Sequence, residues 1–565
     1  MKAYRNYPVT EAESLRELYR NSAETFGARV FLRERVNGEY REYSFKKLAD
    51  DIEALGTELC AIGLTGKKIL VMGNNSYAWA LSYLSVACGV GVVIPVKSDI
   101  SPAGLASIAE RTQAAAIIAS ESSLENANVL ADTVRKISFS ELSEMVENGN
   151  QRIIDGDRTY LDMPLDPNEM RVLVFTSGSS GISKGVMLSH RNLCFNLAEM
   201  CRMIYVDQND HFLSVLPLHH VYECTCGLLC PLYRGSTVTF SENLRYLTRD
   251  LRDVQPTVLL CVPMLAEIIY RKIWSTIRKQ GLERRVKAGI RISNAMPEGK
   301  MRDGAKRKLF ARIHESFGGK LRLMISGGAA ADPDVLSGLR DFGIRAYQSY
   351  SLSECAPLAA INRDTYYRDA SAGMATPHSL LDVYDVQEDG VGEIRIKSPG
   401  VMLGYYDMPE KTQRAIRDGW FYTGDLGHLD DDGFLYIVGR KKNAISAPGG
   451  KSVFPEELEA LLTKNNYVKE AVVIGVPNRT SKKYDVIAII HPDYTEIIGQ
   501  YGKNFAKSQL DLEIKKALSE VNATVLPYKR IQSYVIQKEE FPKNSSRKID
   551  RTGIADAYAA MVKES

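Results

Sequence analysis

The sequence predicts an α/β protein with a large composite N-terminal body of packed β-sheets and helices and a small mobile α+β C-terminal domain. Short apolar runs such as RVLVF and TVLLC alternate with amphipathic stretches, which is the pattern of parallel strands joined by helices. Later runs such as GEIRIKSPG and DDDGFLYIVGR predict β-hairpins instead. Because 565 residues are too many for one hydrophobic core, we expect a large unit over residues 1–439 and a small one over residues 440–565.

The first α/β unit contains an uncharged stretch, residues 71–96, that is long enough to span a membrane. Glycine, asparagine and proline residues interrupt this stretch. We therefore interpret it as part of a buried strand–helix–strand unit over residues 67–73, 76–89 and 91–96, and we expect no transmembrane segment.

The body continues with short apolar runs, most of which end in Gly, Ser or Pro. These runs are residues 171–178, 210–218, 236–240, 256–263, 320–328 and 343–351. In α/β folds, ligands bind at the carboxyl ends of such strands, so the residues that follow the runs are candidates for a site. In the small unit, the pattern predicts helices over residues 456–465 and 510–521 and strands over residues 470–477 and 486–492.

The composition is that of a globular protein, with 45% apolar and 25% charged residues, and it excludes a disordered or collagen-like chain. The net charge of +3 indicates no nucleic-acid binding. Residues from 440 onward carry 21 Lys and Arg against 15 Asp and Glu, which predicts an anionic ligand at the junction with the body. Nine scattered cysteines, and a start without an apolar signal segment, predict a reduced, cytoplasmic protein.

The strongest candidate for a binding site is FTSGSSGISKG, residues 175–185. Its small residues let backbone N–H groups approach an anion, its hydroxyls add donors, and Lys184 adds a positive charge, which together can bind phosphate. It is not the P-loop of nucleotide hydrolases, because Lys184 follows Ser183 and precedes Gly185. A flexible surface loop is disfavoured, since the segment directly follows a strand that we expect to be buried.

This segment resembles the phosphate loop of the adenylate-forming superfamily, which contains acyl-CoA synthetases, peptide-synthetase adenylation domains and luciferases. Other motifs of the superfamily follow in its order: LPLHHVYE (216–223), SGGAA (326–330), YSLSE (350–354), GWFYTGDLG (419–427), GRKKNAI (439–445) and PKNSSRKIDR (542–551). The resemblance covers essentially the whole chain. Within the superfamily, the chain is most similar to bacterial long-chain fatty acyl-CoA ligases.

The resemblance implies how ATP is bound. The β- and γ-phosphates would be held by Thr176, Ser177, Gly178, Ser179, Ser180, Gly181 and Lys184. Tyr350 would lie against the adenine, with Gly328 and Ala329 as the opposite wall. Asp425 would accept both ribose hydroxyls, assisted by Arg440.

The resemblance also implies the catalytic groups. Glu354 would hold Mg²⁺, and Ser353 would contact phosphate. His220 would lie near the reacting carboxylate. Lys184 would add charge at the phosphates, and Lys548 would extend from the small domain to the substrate carboxylate and the α-phosphate. Lys442 would be the hinge of the small domain, and Gly449 would line the tunnel for the pantetheine of CoA.

These assignments imply an ATP-dependent fatty acid–CoA ligase that forms acyl-AMP and pyrophosphate, and then acyl-CoA and AMP. Three alternatives stay open: a ligase that loads an acyl carrier protein, a ligase for aryl or other acids, and a degenerate homologue that senses a ligand. Amino-acid adenylation is disfavoured, because no aspartate for an α-amine is found. A fatty substrate permits peripheral membrane contact without requiring it.

The chain departs from the superfamily pattern at a few positions. Ser183 replaces proline, Ser180 and Ser353 replace threonine, and Arg547 replaces glycine. Ser351 stands where glycine is usual, and we expect it to be the main cause of any reduced turnover.

Two further segments resemble metal sites only in composition. His219, His220 and the three cysteines of CTCGLLC lack the spacing of structural zinc sites, so we predict a buried helix behind the acyl pocket. DLGHLDDDGF lacks the length and final glutamate of a calcium loop, so we predict a tight Asp-Gly hairpin.

Overall fold

The computed structural model describes residues 6–176, 183–297, 299–446, 452–477, 484–543, 549–551, 553–554 and 558. Over this part of the chain the strands are β1 (Val30–Val36), β2 (Glu39–Ser44), β3 (Lys68–Met72), β4 (Val92–Val96), β5 (Ala116–Ala119), β6 (Arg135–Ser138), β7 (Met170–Thr176), β8 (Lys184–Ser189), β9 (His211–Ser214), β10 (Thr237–Phe240), β11 (Val258–Cys261), β12 (Leu323–Ser326), β13 (Arg345–Ser351), β14 (Leu358–Ile361), β15 (Met374–Ala375), β16 (Leu380–Tyr384), β17 (Gly392–Lys397), β18 (Gly404–Tyr405), β19 (Ile416–Arg417), β20 (Trp420–Leu429), β21 (Leu435–Arg440), β22 (Ile445–Ser446), β23 (Ser452–Val453), β24 (Val468–Pro477), β25 (Tyr484–Pro492) and β26 (Ser533–Ile536).

The α-helices of the same residues are α1 (Leu15–Phe26), α2 (Phe45–Ala61), α3 (Tyr77–Ser85), α4 (Pro102–Thr112), α5 (Glu121–Leu124), α6 (Leu142–Ile154), α7 (His190–Met203), α8 (Val221–Glu223), α9 (Cys230–Arg234), α10 (Leu247–Val254), α11 (Pro263–Lys279), α12 (Glu283–Asn294), α13 (Lys300–Leu309), α14 (Ala311–Glu315), α15 (Pro333–Asp341), α16 (Pro409–Ala415), α17 (Pro455–Leu462), α18 (Tyr494–Tyr501) and α19 (Lys507–Thr524). A π-helical turn, Cys224–Leu229, joins α8 to α9.

The first large sheet has the order β18-β8-β7-β4-β3-β5-β6. Strands β3, β4, β5 and β6 are parallel, and β8 returns antiparallel beside β7. Both faces of β3 are buried: Ile69 and Val71 belong to one core cluster, and Leu70 and Met72 to another. The predicted strand–helix–strand unit of residues 67–96 is thus confirmed as β3, α3 and β4. In the described ranges, no helix combines the length and apolar character needed to cross a membrane.

The second large sheet has the order β15-β14-β13-β12-β11-β9-β10-β1-β2. The runs predicted between residues 210 and 351 form its parallel strands β9 to β13. Val258 and Leu260 of β11 face the core between the two large sheets, and Leu259 and Cys261 face helices α10, α11 and α15. Strands buried on both faces read as continuous apolar runs, which is why the sequence identified them.

The third sheet confirms the predicted hairpins. Its order is β16-β17-β20-β19, and β21 pairs antiparallel with β20. The Asp-Gly turn of DLGHLDDDGF joins β20 to β21. Asp430 Oδ1 accepts hydrogen bonds from the backbone N–H groups of Asp432 and Phe434, at 3.0 and 2.9 Å, and Gly433 has a φ of +85° that favours glycine. This hairpin sets Asp425 opposite Arg440.

Residues beyond 440 contain strands β24, β25 and β26, which form a sheet of their own, with helices α17, α18 and α19. Their buried residues, from Ile445 to Ile531, form a hydrophobic cluster separate from those of the larger part. The predicted helices and strands of this segment are confirmed, with small shifts at their ends.

The predicted buried helix at the cysteine cluster is also confirmed. It runs through α8, the π-helical turn and α9, and Cys224, Cys226 and Cys230 are all buried free thiols. Burial raises the pKa of Cys224 to about 12, so this thiol stays protonated.

Candidate active site

Tyr350, Asp425 and Arg440 meet where β13 approaches the third sheet. The Tyr350 hydroxyl donates a hydrogen bond of 2.6 Å to Asp425 Oδ2. Arg440 Nε lies 3.0 Å from Asp425 Oδ1, because β20 and β21 pair these two residues. Burial and the charge of Asp425 raise the pKa of Tyr350, which keeps its hydroxyl a donor. The three residues that the resemblance assigns to the nucleoside are therefore joined by one hydrogen bond and one ion pair.

Glu354 and Lys184 lie on either side of Tyr405. Glu354 belongs to the turn Ser353–Cys355, directly after β13, and its Oε1 accepts a hydrogen bond of 2.9 Å from the Tyr405 hydroxyl. Lys184 Nζ lies 4.6 Å from the centroid of the Tyr405 ring. Burial and the charge of Glu354 raise the pKa of Tyr405. Lys184 itself pairs with Thr176 across the strands that flank the phosphate segment.

Positive charge is concentrated beside these groups. Burial lowers the pKa of Lys442, and the charges of Arg440, Arg551 and Lys184 lower it further. The charge of Glu456 acts in the opposite direction, and Arg440 and Arg551 form ion pairs with Asp425 and Glu459. Lys442 therefore lies among cations that carboxylates partly neutralise, and a phosphate ligand would add to that neutralisation.

Gly328 and Ala329 follow β12, next to the end of β13. Gly328 has a φ of +84°, in the left-handed region that favours glycine, and a Cβ there would meet nothing within 4 Å. At the preceding position, Gly327, a Cβ would lie 2.6 Å from the Tyr222 ring. Tyr222 thus packs directly under the segment predicted to line the adenine.

His219 and His220 precede α8, with their ring centroids 4.2 Å apart. Burial and the neighbouring His220 lower the pKa of His219, which is therefore neutral at pH 7. Its Nε2 has no hydrogen-bond partner among the described residues. Because Tyr222 follows two residues later, this segment lies beside Gly327.

Several predicted site residues fall outside the described residues. They are Ser177, Gly178, Ser179, Ser180, Gly181, Gly449 and Lys548. Their roles stay predictions. Arg547, which stands where the superfamily pattern has glycine, also lies outside the described residues.

Two side chains with site contacts had no signal in the sequence. One is Tyr405, which links Lys184 to Glu354. The other is Arg111 of α4: its Nη1 donates a hydrogen bond of 2.9 Å to the Ser183 carbonyl, and its guanidinium lies 5.3 Å from the Phe175 ring centroid. Arg111 thereby fixes both ends of the phosphate segment. A lone arginine late in an amphipathic helix does not reveal such a role, because the contact depends on how α4 packs against the first sheet.

A buried network supports the segment that carries the two histidines. Asn75 Nδ2 donates to the Leu216 carbonyl at 2.7 Å and to Ser214 Oγ at 3.0 Å, and Asn75 Oδ1 accepts from the Leu218 N–H. Ser214 Oγ donates to Glu223 Oε1 at 2.6 Å. Asn75 follows β3 of the first sheet and Ser214 ends β9 of the second. The network therefore ties the two large sheets together at the histidine segment.

Glu223 is an unusual member of this network. Burial raises its pKa to about 8, and its Oε2 has no hydrogen-bond partner among the described residues. A Cβ at Gly227 would lie 2.6 Å from Oε1, so glycine makes the room for this carboxyl group. The neighbouring titratable groups, Tyr222 and the thiols of Cys224 and Cys226, are neutral at pH 7. Glu223 is therefore a buried neutral acid.

Replacing Glu223 with glutamine is expected to remove a pH dependence of stability. In the unfolded chain the carboxyl group ionises near 4.5, whereas in the folded protein it stays protonated up to about 8. The contribution of Glu223 to the free energy of unfolding is thus fully present below pH 4.5, and it falls progressively as the pH rises to 8. The unfolding free energy of E223Q minus that of the native protein should rise with pH over this window, by roughly 1.4 kcal/mol per pH unit at most.

Thermal unfolding across that pH range measures this difference. Glu410 is a suitable control, because its side chain is 84% exposed, and E410Q should show no such trend. A constant difference between E223Q and the native protein would contradict a buried neutral Glu223.

Comparisons with known proteins show which family the chain belongs to. The model of the AMP-binding enzyme family matches residues 19–406. Long-chain-fatty-acid–CoA ligase 1 of Homo sapiens is 26% identical over 563 residues, which cover 89% of this chain and 78% of that protein. Long-chain-fatty-acid–CoA ligase FadD15 of Mycobacterium bovis is 25% identical over 568 residues, which cover 93% and 92%.

Solved structures show the same fold. ATP-bound MatB from Rhodopseudomonas palustris has a TM-score of 0.74 at 20% identity, over 97% of this chain and 99% of that one. The anthranilate CoA ligase AuaEII in complex with anthranoyl-AMP has a TM-score of 0.75 at 18% identity, over 99% of each chain. The fold is that of the adenylate-forming acyl-CoA synthetases. The chain belongs to the AMP-binding enzyme family.

Proposed function

We propose that the protein is an ATP-dependent fatty acid–CoA ligase. The observation that carries this proposal is the convergence of Tyr350, Asp425, Glu354 and Lys184 in a chain of the AMP-binding enzyme family. The fatty acid is supported by the long-chain-fatty-acid–CoA ligases among the relatives.

ATP would be bound by groups of different chemistry. Asp425 would accept hydrogen bonds from the ribose hydroxyls, while its hydrogen bond from Tyr350 and its ion pair with Arg440 hold it in place. Gly328 and Ala329 would leave room for the adenine against Tyr350. Thr176, Lys184 and the residues between them would hold the β- and γ-phosphates, as oriented small residues and a lysine do in other phosphate sites.

The Glu354 carboxylate is suited to bind a magnesium ion. Its carboxylate accepts one hydrogen bond, from Tyr405, and in the described ranges no cationic side chain forms a salt bridge with it. Mg²⁺ bound there would neutralise phosphate charge and orient the triphosphate. Tyr405 would then serve to fix the direction of the carboxylate.

The first half-reaction joins two anions, so it needs concentrated positive charge. A carboxylate oxygen of the acid bonds to the α-phosphorus of ATP, and pyrophosphate leaves with the electrons of the broken P–O bond. Lys184 and Lys548 would stabilise the charge that develops on the phosphates. His220 would lie near the reacting carboxylate.

The second half-reaction needs a different environment. The sulfur of CoA bonds to the acyl carbon of acyl-AMP, and AMP leaves. We propose that residues 440–565 form a lid that turns about Lys442 between the two steps, bringing Lys548 to the site for the first step and Gly449 to the pantetheine of CoA for the second.

We keep two further candidates, one for the acceptor of the acyl group and one for the acid. An acyl carrier protein presents the same phosphopantetheine thiol as CoA, and an aromatic acid is favoured by the fold shared with an anthranilate CoA ligase. A ligand sensor without catalysis is the remaining alternative.

A pyrophosphate-release assay across fatty acids of different length and aromatic acids tests the proposal. The purified protein is supplied with Mg²⁺ and ATP, and with CoA, with a carrier protein, or with neither. We expect acid-dependent pyrophosphate release, and acyl-CoA only with CoA. Acyl transfer to the carrier protein alone would contradict the CoA assignment. Absence of acid-dependent exchange between pyrophosphate and ATP would favour the sensor.

A further inference from the structure

Helices α12 and α13 form a basic surface that the proposed chemistry does not use. Residues 263–315 contain 14 Lys and Arg but only 5 Asp and Glu. The charge lies on the side of the second sheet covered by α11 and α15, which contact α12. It is therefore a feature of the surface outside the group formed by Tyr350, Asp425 and Glu354.

The two helices form an antiparallel hairpin. Near one end, Arg302 Nη2 donates a hydrogen bond of 3.0 Å to Asn294 Oδ1. Near the other end, a Cβ at Gly289 would lie 2.9 Å from Leu309 Cδ2, so the Leu309 side chain rests on Gly289. We refer to residues 283–309 as the α12–α13 hairpin.

The inner face of the hairpin packs against the rest of the protein. Val286 and Ile290 pack against the core cluster of α11 and α15. Lys306 is 3% exposed, and its Nζ donates a hydrogen bond of 2.9 Å to the Arg340 carbonyl. The inner face therefore holds the hairpin on the body and leaves the opposite face available.

The outer face exposes large apolar side chains. Ile292, Met301 and Leu309 are 71%, 82% and 53% exposed. Met301 and Leu309 lie two turns apart on α13, on the same side as Ala305. Ile292 lies one turn beyond Gly289, the residue on which Leu309 rests. Three exposed apolar side chains on adjacent helices form an apolar patch, and such patches on a soluble surface mark interaction sites.

Cations surround this apolar patch. Arg285, Arg291, Lys308 and Arg312 are exposed, and in the described ranges none of them forms an ion pair. Arg285 lies one turn before Gly289, and Lys308 precedes Leu309. Their charge is available to a partner outside the chain.

We propose that the α12–α13 hairpin is a docking surface for a membrane leaflet that contains anionic phospholipid. Apolar side chains enter the boundary between headgroups and acyl chains, while Lys and Arg attract the anionic headgroups. A nucleic acid is disfavoured as the partner, because a phosphate backbone gives three exposed apolar side chains nothing to contact. Docking would place the enzyme where free fatty acids partition.

Sedimentation with lipid vesicles tests this surface on the full-length protein. We expect binding to vesicles of phosphatidylcholine mixed with phosphatidylglycerol, weaker binding at high salt, and little binding to phosphatidylcholine alone. The double variant R285Q/K308Q should lower the partition coefficient about five-fold for each cation removed. The double variant I292S/M301S should lower it about ten-fold or more.

Matched variants elsewhere control for general effects. Ile154 on α6 is 77% exposed, and the Arg414 side chain on α16 is 80% exposed. I154S and R414Q should bind vesicles as the native protein does. All variants change exposed positions, so their thermal unfolding should match that of the native protein.

Three results would overturn the proposal: equal binding to neutral and anionic vesicles, no loss in the hairpin variants, or an equal loss in I154S and R414Q. Binding of double-stranded DNA through the same cations, without vesicle binding, would assign the surface to nucleic acid instead. The assay measures binding and not turnover. Its failure is therefore distinguishable from failure of the ligase proposal, which only the pyrophosphate assay tests.

Discussion

Replacing Asp425 with alanine is expected to lower kcat/KM for ATP by about 10²–10³-fold. Asp425 is 4% exposed, accepts a hydrogen bond from Tyr350 and forms an ion pair with Arg440. Removing one partner of a buried, hydrogen-bonded charge pair costs on the order of 2–5 kcal/mol. The variant loses the acceptor for the ribose and also the group that orients Tyr350. Initial rates of pyrophosphate release at varied ATP concentration give the value.

Two further variants separate nucleotide binding from folding. Tyr350→Phe keeps the ring but loses one neutral donor, so its loss should be about ten-fold or less. Asp382→Ala removes a carboxylate of the same sheet that pairs with Arg395, away from the site, and it should leave kcat/KM for ATP unchanged. If Asp425→Ala lowers thermal stability but keeps kcat/KM, the residue is structural only.

Part of the fold was predictable because several parallel strands, such as β11 and β12, are buried on both faces. Residues 258–262 and 323–325 appear in the sequence as uninterrupted apolar runs, and they lie in or directly beside the parallel strands β11 and β12. The hairpin of β20 and β21 was predictable from its Asp-Gly turn, whose glycine has a positive φ. These signals are local, so they need no knowledge of tertiary packing.

The candidate site was predictable where a motif carries the residue, as for Tyr350, Glu354 and Asp425. The side chains that contact those residues had no signal in the sequence. Tyr405 comes from β18, at the edge of the first sheet, whereas the Glu354 that it contacts follows β13 of the second. Such a contact depends on how the two sheets pack, and no spacing of residues in the sequence predicts it.

The same reason explains the network of Asn75, Ser214 and Glu223. Asn75 and Ser214 are 139 residues apart and share a hydrogen bond of 3.0 Å. In the sequence, Glu223 is only the last residue of the LPLHHVYE motif. Its burial and raised pKa follow from the helix and the sheet that enclose it.

Replacing Glu354 with glutamine is expected to lower kcat for acyl-adenylate formation by about 10²–10³-fold. The amide keeps the size of the side chain and can still accept a hydrogen bond from Tyr405, but it lacks the negative charge that a hard cation requires. The apparent concentration of Mg²⁺ needed for half-maximal activity should therefore rise, whereas binding of the adenosine part should change little. Pyrophosphate release measured against Mg²⁺ concentration reports both values.

Tyr405→Phe provides the matched control for this interpretation. It removes the hydroxyl that contacts Glu354 Oε1 at 2.9 Å but leaves the carboxylate and the ring that lies near Lys184. If the carboxylate acts by holding the cation, Tyr405→Phe should cost about ten-fold or less, because only one hydrogen bond is lost. If both variants lose activity equally and neither changes the Mg²⁺ requirement, Glu354 orients the turn after β13 and does not bind the metal. The ratio of the two losses thus distinguishes a ligand from a positioning residue.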